Sequence, residues 1–140
     1  MKKVQPHYLA EIDAGKQRKS NPVIMRIILS DQFTRIDFGY KAPWIYVRGG
    51  WIRIAQHTYI QVQGDNKKYE LIEAKNIPLA PDVFEFESTE DWRVFTLYFK
   101  PIPIKSCNID IIEEENPTKE DFNFYGVSVN VDLKRVVEYG

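Results

Sequence analysis

Two histidines, one cysteine and two groups of carboxylates are the residues from which this chain can build chemistry. His7, His57 and Cys107 stand fifty residues apart from one to the next. A zinc site draws its His and Cys ligands from closely spaced positions, so this spacing does not point to one. Cys107 as a nucleophile needs a base such as His57 and a lowered pKa. It lies in an alternating segment, where cysteine acts as a small apolar filler. No Gly-x-Ser-x-Gly, His-Glu-x-x-His or glycine-rich phosphate loop occurs, and Gly49-Gly50 alone does not make one. Asp82, Glu85, Glu87, Glu90 and Asp91 form one acidic group, and Glu113, Glu114, Glu115, Glu120 and Asp121 another. Such oxygens can bind calcium or, in pairs, serve a glycosidase. The ligand ladder of an EF-hand is missing, however, and the plain reading is a solvated charged edge that blocks edge-to-edge pairing. The sequence therefore predicts no enzyme, no cofactor and no metal site. A small metal-dependent hydrolase using His57 with the acidic loops is the weakest of three readings.

The aromatic residues are more suggestive. Trp44, Tyr46, Trp51 and Tyr59 fall within sixteen residues, interleaved with Arg48 and Arg53. Exposed aromatic rings stack on sugars, and on nucleobases where basic groups flank them. Trp44 and Tyr46 also share one face of a strand at i, i+2, as inward core residues must. Both readings stand at this level: a core cluster, or a ligand-binding platform made of Trp44, Tyr46, Arg48, Trp51, Arg53 and Tyr59.

The elements that must position these residues are strands. Segment 23–30 is β-branched and almost wholly apolar, as a buried strand would be. Thr34, Ile36, Phe38 and Tyr40 alternate with Arg35 and Asp37, which predicts one dry and one wet face. Segments 44–47, 51–55, 58–63, 68–74, 83–87, 93–99, 107–112 and 122–131 repeat the strand pattern, and 131–137 reads as either strand or helix. Gly64-Asp65-Asn66-Lys67 is a turn, while Pro78, Pro81, Pro101 and Pro103 mark crossovers that cannot pair fully in a sheet. About eight or nine short strands at this spacing predict an all-β fold, an antiparallel Greek-key, immunoglobulin-like β-sandwich. The expected organisation is a flexible or loosely docked arm over 1–22, a sandwich over 23–132 and a tail over 133–140.

Composition sets outer bounds. The 140 residues suit one domain. A net charge of -1 gives no electrostatic basis for general nucleic-acid binding, so none is expected. That total divides unevenly: residues 1–22 carry five Lys/Arg against two Asp/Glu, or +3, which leaves −4 for the remainder. No apolar run approaches the roughly 20 residues of a membrane helix, so no membrane insertion is expected. One cysteine and no signal peptide suggest the cytoplasm for the chain as written, or the periplasm or cell surface if an export signal has been removed.

Several segments follow a familiar order. Thr58-Tyr59-Ile60 precedes Tyr69-Glu70-Leu71-Ile72-Glu73-Ala74-Lys75-Asn76-Ile77-Pro78-Leu79. Then come Phe95-Thr96-Leu97-Tyr98-Phe99-Lys100-Pro101-Ile102-Pro103, Ile109-Asp110-Ile111-Ile112-Glu113 and Asn123-Phe124-Tyr125-Gly126-Val127. The series resembles a β-sandwich accessory domain of uncharacterised function common in Bacteroidetes proteins, over residues 23–131. In that family the domain often sits beside a catalytic or thioredoxin-like domain. The resemblance implies a non-catalytic sandwich that mediates contacts, with no catalytic residues to carry over. The expected function is thus a non-enzymatic module that binds a protein partner or itself. A carbohydrate-binding module built on the aromatic platform is the alternative.

Overall fold

The computed structural model describes residues 6–13, 22–41, 51–79, 82, 84–85, 92–115 and 122–137. Its strands are β1 (His7–Asp13), β2 (Val23–Leu29), β3 (Thr34–Lys41), β4 (Trp51–Ile52), β5 (Tyr59–Val62), β6 (Lys68–Lys75), β7 (Phe84–Glu85), β8 (Trp92–Phe99), β9 (Cys107–Ile112), β10 (Phe124–Asn130) and β11 (Val136–Val137). Eight of them form a closed antiparallel ring in the order β1-β2-β3-β8-β6-β5-β9-β10, with β10 returning to β1. The expected immunoglobulin-like sandwich is thereby corrected to a β-barrel. Alternation of inward and outward residues is common to both architectures. What separates them is a long-range pairing that no local pattern records.

The closing strand lies in the segment read as an arm. Residues 8–10 of β1 pair with 27–29 of β2, and residues 11–13 pair with 128–130 of β10. Ala10 is buried and Ile12 packs on the core, so the inward face of β1 carries one small residue and one large one. β11, in the segment read as a tail, continues along the same edge of β1 through Val136 and Val137. The two-stranded pair β4–β7 stands outside the ring.

Strand order around the ring is not sequential. The path from β3 to β5 skips β8 and β6, and the path from β8 to β9 skips β6 and β5. The connections that follow β1, β3, β6 and β9 all leave the barrel at one end. At the other end the connections include the tight turn after β2, where Ser30 Oγ accepts from the Gln32 and Phe33 amides.

Aromatic and β-branched residues fill the interior. Phe38 stacks on Phe95 at 5.1 Å and meets Phe124 at 5.7 Å, and Phe99, Ile36, Ile60 and Val127 complete the dry centre. An eight-stranded barrel is just wide enough for side chains to fill. The void among Phe38, Ile54, Thr58, Phe95 and Phe124 is about 10 Å³, no more than the space of one water. This void, lined by described residues, has no room for a small-molecule ligand.

Candidate functional site

An open groove of about 630 Å³ lies on the outer face of β5, β6 and the loop after β9. Its lining includes Gln56, His57, Tyr59, Lys68, Leu71 and the carboxylates Glu113, Glu114 and Glu115. Residues 55–58 form a turn in which the Thr58 amide and hydroxyl both donate to the Ala55 carbonyl, at 3.2 and 2.6 Å. Thr58 is fully buried, so the turn is anchored at its end and presents Gln56 and His57 to solvent.

Glu113 fixes that turn to the rest of the site. Its carboxylate accepts from the Ala55 amide at 2.8 Å and from the Phe122 amide at 2.9 Å. The residue is 6% exposed, which corrects its reading as part of a solvated edge. Asn123 ties the same loop from the other side. Its Oδ1 accepts from the Glu113 and Glu114 amides, and its Nδ2 donates to the Glu114 carbonyl and the Tyr125 hydroxyl. Glu114 and Glu115 are thus placed in the groove by the hydrogen bonds of Glu113 and Asn123 rather than left on a loose acidic loop.

The carboxylates of the groove are hydrogen-bonded or ion-paired. His57 Nε2 lies 2.8 Å from Glu114 Oε1. Lys68 Nζ lies 2.8 Å from Glu115 Oε1 and 4.7 Å from the Tyr59 ring centroid, and the Tyr59 hydroxyl donates to the same Glu115 oxygen at 3.3 Å. The lysine hydrogen bond holds the Glu115 carboxyl below its ordinary range and raises the Lys68 ammonium. Partial burial, then the Glu115 charge, pushes the Tyr59 phenol up. Tyr125 is near enough to add to that rise. A β-bulge between Phe124 and Val127 turns it outward, with Gly126 at φ +63° and its amide on Asp110 Oδ1.

The sequence-derived candidates fare unequally. Trp44, Tyr46 and Arg48 lie outside the described residues, and the Trp51 side chain does too, although its backbone forms β4. Arg53 is exposed beside the Ile54–Leu79 bridge. Tyr59 alone is brought into the groove. His57 joins Glu114, yet among the described residues no three His, Cys, Asp or Glu side chains converge as a metal site. Cys107 begins β9 at the opposite end of the barrel, roughly 17 Å along the strand from the groove. Burial raises its thiol pKa, as a packed filler requires and a nucleophile does not. His7 packs against Phe33 at 5.3 Å, also away from the groove. Asn123 and Tyr125 are residues that sequence reasoning missed, and Glu113 stands in the sequence only as one of an acidic group; its anchoring to Ala55, fifty-eight positions away, leaves no local signal.

A second surface lies across the ring on β2, β3 and β8. Gly39 stands between Val23 and Val94 in register, and a Cβ there would meet Met25 Sδ, Trp92 and Val23 at 3.3–3.7 Å. Met25, Trp92 and Val94 are 55%, 61% and 50% exposed. Next to this apolar patch Asp37 is buried on the outward face, taking the Thr96 hydroxyl at 2.6 Å and the Arg35 Nε at 3.0 Å, together with Arg26. Burial alone would raise its pKa, but these hydrogen bonds outweigh it and hold the carboxyl below its ordinary value.

Fold and surface together define a class: a filled eight-stranded antiparallel barrel with a polar groove on one side and an apolar patch on the other. Comparison of the chain with family models, curated proteins and solved structures gives no match.

Proposed function

We propose that this protein is a non-catalytic interaction module that self-associates through the outer face of β2, β3 and β8. The observation that carries the reading is the exposed group Met25, Trp92 and Val94, of which Met25 and Trp92 lie over the buried Gly39, whose missing side chain lets them pack close against the sheet. The filled interior and the poor nucleophile Cys107 support a binding role over a catalytic one. Charged outward strands around an apolar interior support a barrel that works in water, since a membrane barrel turns apolar residues outward.

A two-fold contact would bury the same three side chains from each copy. Completing the burial of three half-exposed apolar side chains on both copies stabilises by about 5–10 kcal/mol. Association costs about 4 kcal/mol or more, which leaves a weak, concentration-dependent dimer. Light scattering after size exclusion tests this. The expected mass rises from 16.5 kDa toward twice that value with concentration, and Val94→Glu or Met25→Glu holds it at 16.5 kDa. A strict monomer across the micromolar to millimolar range refutes the reading.

A further inference from the structure

We propose that the groove beside Tyr59 is a binding site for a neutral polyhydroxylated ligand, in chemical class an oligosaccharide. The site is separate from the self-association surface: β6 neighbours β8, but its groove residues Lys68 and Leu71 lie by the Phe99 end of β8, whereas Trp92 and Val94 stand at the other end, beyond the Lys75–Thr96 pair. Volume is the first argument. About 630 Å³ lies within the range of ligand clefts, and the cleft is open at one side, as a chain-like ligand needs.

Lining chemistry is the second argument. A sugar ring offers C–H faces to an aromatic ring and hydroxyls that both donate and accept. Tyr59 and the neighbouring Tyr125, which is 52% exposed, supply rings. Gln56, His57, Glu114 and Glu115 supply amide, imidazole and carboxylate partners around them.

Charge narrows the class. Glu115 is countered by Lys68, Glu114 is hydrogen-bonded to His57, Glu70 meets Lys100 at 3.4 Å, and Glu113 accepts from two backbone amides. A bound cation would compete with these partners. An anion would meet four carboxylates against one lysine in the lining. A neutral polar ligand faces neither obstacle. The groove is also held in place before binding. Tyr59 is fixed by Glu115 at its hydroxyl and by Lys68 over its ring, and the 113–115 segment is pinned by Asn123 and Ala55. Such preorganisation removes part of the ordering cost of binding.

The experiment is an amide-resolved NMR titration of the full chain with neutral tetraoses of glucose, xylose, mannose and N-acetylglucosamine, and separately with a tetralysine peptide. At least one tetraose is expected to give saturable shifts at the amides of 56–59 and 113–115. Tyr59→Ala should weaken that binding about three- to tenfold, while Tyr59→Phe retains most of it. Tyr125→Ala provides a second variant should Tyr59→Ala fail to fold. No saturable shift with any tetraose up to millimolar concentration overturns the proposal. So do shifts confined to the amides around Gly39, or a response to tetralysine alone.

Discussion

Removing the Glu113 carboxylate should loosen the groove and destabilise the barrel by a calculable amount. The Ala55 amide it accepts from is buried, and a buried N–H left without a partner costs about 1–3 kcal/mol. The Phe122 amide is only partly buried, so water can replace some of what it loses. Glu113→Ala is therefore expected to cost about 2–4 kcal/mol, a substantial fraction of the 5–15 kcal/mol that holds a domain of this size. Glu113→Gln keeps one carbonyl oxygen but turns an NH₂ donor toward the other amide, so about half that loss should remain. Urea unfolding followed by circular dichroism measures both values, and proton–nitrogen spectra report whether the Ala55 and Phe122 amides shift. The order wild type, Gln, Ala is the diagnostic result. Two variants within about 0.5 kcal/mol of wild type, the range of ordinary surface changes, would mean that Glu113 does not tie the two loops together.

Two further outcomes follow from the titrating groups. Asp37 has a folded-state pKa below its unfolded value of 3.8, so its contribution is complete above that pH and is lost as pH falls through the lower folded value. Acid unfolding curves below pH 4 should show this component in the wild type and lose it in Asp37→Asn. The Tyr69 hydroxyl donates to Asp65 Oδ2 at 2.7 Å, and that bond, with burial, pushes its pKa up to about 12. Ultraviolet titration should place one tyrosine near that value, and Asp65→Asn should bring it back toward 10.

The strands were legible where alternation is local. Thr34, Ile36, Phe38 and Tyr40 turn inward as their spacing predicts, and β8 and β9 fall where the β-branched and aromatic runs place them. Asp37 departs from the wet face its pattern assigns because Arg26 and Thr96 sit directly across from it on the two flanking strands. β1 leaves little trace in the sequence because its inward positions hold only Ala10 and Ile12, with Glu11 and Asp13 beside Ile12, a thin signal for the strand that closes the ring. Among three consecutive glutamates, sequence cannot tell which one turns inward. The choice falls on Glu113 because Ala55 and Phe122 present amides there, and those residues are remote in the chain.

Closure of the ring also decides where function can reside. Pairing β1 to both β2 and β10 seals a core with no room for a ligand and leaves the ring strands fewer open edges for strand addition. Among the described residues, two groups of outward side chains break the usual rule that outward positions are freely solvated. One is apolar and exposed, packed over a buried glycine. The other is polar and held from beneath by a buried carboxylate and an asparagine. Barrel stability requires neither the exposure of Trp92 nor the fixed aim of Glu114 and Glu115 into a groove. Stability is already supplied by the stacked phenylalanines, so the organisation of these outer side chains points to contacts made with something beyond the single chain.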